Sequence, residues 1–105
     1  MGKKKKRDER KISEMRNLGP ACESDFRAIG ITKAYQIIQL GSEGSFIRML
    51  VGRQKVGRSA SCCNALYLYA LYGAIHDIDW RKIPENKKTK FKAFAKELRE
   101  SGRFA

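Results

Sequence analysis

With 105 residues, 42% of them apolar and 10% aromatic, the chain is long enough for one modest core and too short for two. Its net charge of +12 and isoelectric point near 10.0 leave the fold open but predict attraction to polyanions, nucleic acid first among them. No apolar run reaches the ~20 residues of a membrane span and no signal-peptide core follows the N-terminal lysines, so a cytoplasmic protein with no membrane partner is expected.

Residues 1–10 hold Lys3, Lys4, Lys5, Lys6, Arg7 and Arg10 against Asp8 and Glu9, with nothing apolar to bury after Met1. This reads as a disordered basic arm, either following a phosphate backbone or standing as a solvated tail, ahead of a helical domain over 11–105. Ile12 and Met15 suggest a short first helix over 11–16. The stretch Met15 to Ile31 then reads as a tight turn feeding a second helix. Asn17 and Gly19 tolerate a left-handed backbone, and Pro20 suits the first helical position. Cys22, Phe26 and Ile29 fall on one face, and Gly30 is placed to end the helix with Ile31 folding back as its apolar contact. Two helices pinched around such a turn form a helix-hairpin-helix-like motif. The turn Asn17, Leu18, Gly19, Pro20 and Ala21 is then a candidate phosphate site, because helix-initial amides lack partners and the dipole favours an anion there. Glu23 and Asp25 follow where hairpins that hold DNA commonly carry lysine, so the hairpin stands either as a phosphate grip or as architecture.

Thr32 can cap a third helix, with Ala34, Ile37 and Ile38 inward and Gly41 as its stop. Ser42 can cap a fourth, with Phe46, Met49 and Leu50 inward and Arg48, Arg53 and Lys55 outside. From Ala60 to Ile75 no charge interrupts a nearly all-round apolar surface, which predicts the central, most buried helix. The hydroxyls of Tyr67, Tyr69 and Tyr72 are expected to reach the rim of the core. Trp80 reads as a largely buried plug whose loss costs ~3–5 kcal/mol. Pro84 begins a last helix whose buried stripe is Phe91, Phe94, Ala95 and Leu98. At 100° per residue Lys88, Lys92, Lys96, Arg99 and Arg103 fall within about an 80° arc, a cationic ridge clear of Glu97 and Glu100. Gly102 ends that helix, and the final residues are expected to fray. The fold class is all-α, a small bundle of five or six short helices.

Five pieces in register resemble one known family: Asn17-Leu18-Gly19-Pro20, Ile29-Gly30-Ile31, Leu40-Gly41, Asn64 through Ile75, and Trp80-Arg81-Lys82-Ile83-Pro84. They are similar to the C-terminal domain of the TfoX/Sxy competence regulators, over about Ile12 to Leu98. The resemblance implies a regulatory module linked to natural transformation, acting with a transcription regulator such as the cyclic-AMP receptor protein.

An enzyme finds no support in the residues. There is one histidine, His76, no Ser-His-Asp or Cys-His pattern and no Gly-x-x-x-x-Gly-Lys loop. Cys22, Cys62 and Cys63 lack metal-ligand spacing with His76 and read as thiols, so no cofactor or metal is expected. Two functions remain. One is association with duplex DNA through non-specific phosphate contacts by the arm, the turn and the ridge. The other is docking on a transcription regulator, with the hairpin purely structural. DNA binding should use arm and ridge additively, whereas docking should depend on a compact patch with an apolar or aromatic centre.

Overall fold

The computed structural model describes residues 8–60 and 64–104. Four α-helices carry them: α1 (Pro20–Arg27), α2 (Ala34–Lys55), α3 (Ala65–His76) and α4 (Glu85–Glu100), with 3₁₀ turns at Ile12–Glu14 and Trp80–Lys82. Among the described residues the only extended pairing is an isolated antiparallel bridge between Lys11 and Lys33. The helices expected before and after Gly41 form the two arms of α2, separated by a non-helical kink at Gly41, and in place of the one expected over 11–16 there is a single 3₁₀ turn.

The start of α1 and its end follow from local chemistry. Pro20 occupies the first turn, and at the other end Gly30 takes φ 81° while the Ile31 N–H donates to the Phe26 carbonyl at 3.0 Å and the Gly30 N–H to that of Arg27 at 3.0 Å. This pair of bonds is a Schellman closure, and it turns Ile31 into the core. The start of α2 is closed by upstream backbone instead: Ala34 N–H donates to Arg10 O at 2.9 Å and Tyr35 N–H to Asp8 O at 3.0 Å. The cap position is Lys33 rather than Thr32, because the Gln36 side-chain oxygen accepts from the N–H groups of both residues, at 2.8 Å from Thr32 and 3.0 Å from Lys33. Gly41 bends α2 with φ 76° and ψ 177°, a conformation essentially confined to glycine. Across that bend the buried Ser45 hydroxyl donates to the Ile37 carbonyl at 3.2 Å. Ile37, Phe46, Met49 and Leu50 enter the core as their spacing predicts, but Ile38 is 41% exposed.

Helix α3 packs against α2, α4 and the Trp80 turn, which makes it the centre of the bundle. It begins at Ala65, with the Asn64 side chain accepting from the Leu66 N–H at 2.9 Å, and ends on Asp77 in the left-handed region. Leu68, Leu71 and Ala74 are buried, whereas Leu66 is 49% exposed. Tyr69 departs from the expected rim position. It is buried beside Phe91, with ring centroids 6.3 Å apart, and its hydroxyl has no hydrogen-bond partner among the described residues. Since an unmet buried hydroxyl costs about 1–3 kcal/mol, Tyr69→Phe is expected to leave stability unchanged or raise it by roughly 1 kcal/mol. A drop in melting temperature in a thermal melt would show the reading of that hydroxyl to be wrong.

Two expectations about the C-terminal half are corrected. Trp80 is 39% exposed and is no plug: the 3₁₀ turn, capped by Asp79 accepting from the Arg81 N–H at 2.8 Å, carries the indole to the surface. Ile83 is the buried anchor of that connection. With only part of the ring's area removed from water, Trp80→Ala is expected to cost about 1–2 kcal/mol rather than 3–5, as a chemical denaturation series would read. Of the final residues expected to fray, Phe104 is instead buried after the turn at Gly102. On α4 itself Phe91 and Ala95 are buried and Phe94 meets Phe46 edge-on at 6.5 Å.

Candidate nucleic-acid interface

The turn before α1 is built differently from the sequence-based expectation. Asn17, with φ 72°, takes the left-handed position, while Gly19 is extended at φ −130° and ψ −172° and needs no glycine. The Asn17 amide nitrogen donates to Ile78 O at 3.0 Å and to Ala70 O at 3.4 Å, tying the turn to the C-terminal end of α3. Leu18 is buried, and only Pro20 and Ala21 of the five candidate residues are exposed. Gly19→Ala, with nothing within 4 Å of the added carbon, is therefore expected to be nearly neutral. Asn17→Ala loses both tethers and the residue type suited to φ above zero, and should cost about 2 kcal/mol in a denaturant titration.

The two acids of α1 are spent inside the domain. Glu23 accepts from the Ser13 N–H at 3.0 Å and the Ser13 hydroxyl at 2.8 Å, with Arg27 at 3.2 Å. Those donors hold its carboxyl below the usual range. Asp25 is 1% exposed and faces Arg58 at 2.6 Å and Arg53 at 3.9 Å. Burial pushes the Asp25 carboxyl upward, and the two guanidiniums pull against that shift. Arg53 also donates to the Ser59 carbonyl at 2.8 Å and lies over the Tyr67 ring at 5.8 Å, so this cluster fixes the chain leaving α2. Sequence reasoning missed it, although the signal was present: Asp25 stands three residues after Cys22 and one before Phe26, on the inner side of α1.

Helix α4 gathers the ridge. Lys92, Lys96 and Arg99 are exposed and Lys88 is half-buried. Arg103 lies beyond the helix end, past Gly102, with its guanidinium 5.1 Å from the Phe104 ring centroid, so it leaves the helical register expected for it. Six arginines elsewhere are matched with acids, Arg10 with Asp8, Arg16 with Asp77, Arg27 with Glu23, Arg53 and Arg58 with Asp25, and Arg81 with Asp79, while the exposed Arg48 forms no ion pair with a described residue. Lys88, Lys92 and Lys96 form no ion pair with any described residue. Their charge is left to solvent. Lys3, Lys4, Lys5, Lys6 and Arg7 of the arm, and Cys62 and Cys63, lie outside the described residues.

A family model described as the TfoX C-terminal domain matches residues 8–95. The chain belongs to that family. Among solved structures, an uncharacterized protein from Listeria monocytogenes is similar to it at 30% sequence identity and a TM-score of 0.70, covering 85% of this chain and 93% of that one. No curated protein matches the chain. The TfoX C-terminal match takes in the Asn17 turn, the Asp25 cluster and Lys88 and Lys92 of the α4 ridge, while Lys96, Arg99 and Arg103 fall past its end.

Two surface clefts flank the N-terminal end of α3 in this TfoX C-terminal domain. One, of about 340 Å³, is lined by Asn17, Cys22, Leu66, Tyr67, Ala70 and Trp80. The other, of about 450 Å³, lies between α3 and α4, and Leu66 borders both. Among the described residues no group of three histidine, cysteine, aspartate or glutamate side chains could hold a metal ion, and no helix is long and apolar enough to cross a membrane.

Proposed function

We propose that the protein is a non-enzymatic regulatory module, related to the TfoX/Sxy regulators of natural competence, that associates with duplex DNA through the basic face of α4 and the N-terminal lysines. The observation that carries this reading is the alignment of open lysines along one side of α4. Six arginines elsewhere are paired with aspartate or glutamate, whereas Lys88, Lys92 and Lys96 stand on one side of α4 with no ion pair to a described residue. Such a face exchanges its counterions for phosphates without reading base sequence. The helix-hairpin-helix-like turn enters this reading as architecture, since Asn17 and Leu18 face the domain and not the solvent. The test is fluorescence anisotropy with a labelled duplex at two salt concentrations, using the full chain and a chain lacking residues 1–7, which spares the Asp8 and Arg10 carbonyls that close α2. Affinity that falls steeply with salt, and less steeply once the arm is gone, supports it. Absence of binding at low salt refutes it.

A second reading has one observation in its favour. Trp80 and Leu66, 39% and 49% exposed, stand beside the same apolar cleft, and a compact patch with an aromatic member is what docking on a transcription regulator such as the cyclic-AMP receptor protein requires. If DNA binding fails, Trp80→Ala and Leu66→Ala are the variants that should disrupt such a complex.

A further inference from the structure

Leu66 stands where two clefts meet, one apolar and one edged with cations. Its side of α3 is open: Leu66 is 49% exposed, and Trp80, which lines the same apolar cleft of about 340 Å³, is 39% exposed. Cys22, Tyr67 and Ala70 of that cleft are half-buried, so its wall is reached from outside. In the second cleft Leu66 is joined by Lys92, Lys96 and Arg99 of α4, all exposed and at the i, i+4 and i+7 positions that bring them into one row. Among the described residues no acidic side chain lines either cleft. Two large exposed apolar side chains, one of them aromatic, with charge kept to one flank, have the composition of an interface centre and its rim.

Resting on the docking reading above, we propose that this surface receives an acidic amphipathic helix of a protein partner. An apolar side chain of that helix enters the cleft between Leu66 and Trp80, and its carboxylates lie along Lys92, Lys96 and Arg99. Charge complementarity selects this occupant. The chain's own N-terminal segment, with Lys3, Lys4, Lys5, Lys6 and Arg7, has the sign of the rim, and a second copy brings a net charge of +12 against a surface already positive. Duplex DNA matches the rim, but its phosphate and sugar exterior offers nothing apolar to the Trp80 cleft. A helix offers both features. Its residues at i, i+4 and i+7 share one side over about 10 Å, enough for carboxylates to meet the α4 row, while the neighbouring stripe carries the apolar anchor.

Trp80 is the one tryptophan of the chain, so its emission reads the cleft directly. The probe is a labelled, tryptophan-free synthetic peptide with leucine along one helical stripe and glutamate at the remaining positions. Two control peptides carry lysine in place of each glutamate, or alanine in place of each leucine. Label anisotropy and Trp80 emission are followed as each is titrated against the full chain. The acidic leucine peptide is expected to bind and to move the emission to shorter wavelength as the indole leaves water. The alanine peptide should leave the emission where it is, and the lysine peptide should not bind. Leu66→Ala, a change at an exposed side chain, should weaken the acidic leucine peptide roughly five- to thirtyfold. The double variant Lys92→Gln with Lys96→Gln should weaken it roughly three- to tenfold and make the remaining affinity less sensitive to salt. An emission shift with the lysine peptide equal to that with the acidic one overturns the acidic partner and leaves the docking patch standing. Binding of the acidic leucine peptide without an emission shift, or with affinity unchanged in Leu66→Ala, overturns the cleft and leaves only the charge on α4. If no peptide binds, the acidic partner and the docking reading fail together.

Discussion

Gly52→Ala is expected to destabilise the domain by about 3 kcal/mol or more, at the upper end of overpacking costs, although the same change on an exposed helix face would gain up to about 1 kcal/mol from helix propensity. A Cβ on Gly52 would sit 1.9 Å from the Asp25 carbonyl oxygen and 2.8 Å from the Asp25 carbonyl carbon. These are backbone atoms of α1, so no side chain can swing away, and relief requires α1 to move off α2. That movement would also draw the Asp25 carboxylate away from Arg53 and Arg58, leaving a buried charge without its partners. Gly44, eight residues earlier on α2, is the internal control. Its added carbon would meet Leu40 Cβ at 3.5 Å, an ordinary contact, so Gly44→Ala should be neutral or stabilising by up to about 1 kcal/mol. Opposite signs for the two variants in urea titrations support the close approach of α1 and α2. Equal signs refute it.

Replacing Lys88, Lys92 and Lys96 together by glutamine is the second large effect expected, and it falls on binding. Each cation that neutralises a phosphate contributes about 0.9 to the log-log salt slope for duplex DNA, so losing three should flatten the slope by up to about three units. With about four to six contacts in all, from the ridge and the arm, the wild-type slope would be near −4 to −5 and most of it would disappear. Stability should change by less than about 0.5 kcal/mol, since glutamine is nearly as good a helix former as lysine and no ion pair with a described residue is broken. A slope unchanged by the triple variant would move the interaction off α4 and onto the N-terminal lysines.

The amino-acid sequence by itself determined the features that one segment can settle alone. The Schellman end of α1 at Gly30 and Ile31, the break at Gly41, and the inward residues Phe46, Met49, Leu50, Phe91 and Ala95 all follow from backbone permissiveness and helical spacing. The row of Lys88, Lys92 and Lys96 is legible for the same reason, because a helix fixes which residues share a side. What the tertiary structure decided depends on partners distant in the chain. Whether Asn17 or Gly19 takes the left-handed position was set by carbonyls at residues 70 and 78, which give the Asn17 amide somewhere to bond. Asp25 became a buried ionic hub only because Gly52 lets α2 come close enough to bring Arg53 and Arg58 to it. Trp80 lies outside and Phe104 inside because area is removed from water by whichever aromatic the packed helices leave room for. Periodicity ranks candidates for burial, but the space between helices admits them, and that space exists only after α2, α3 and α4 have met.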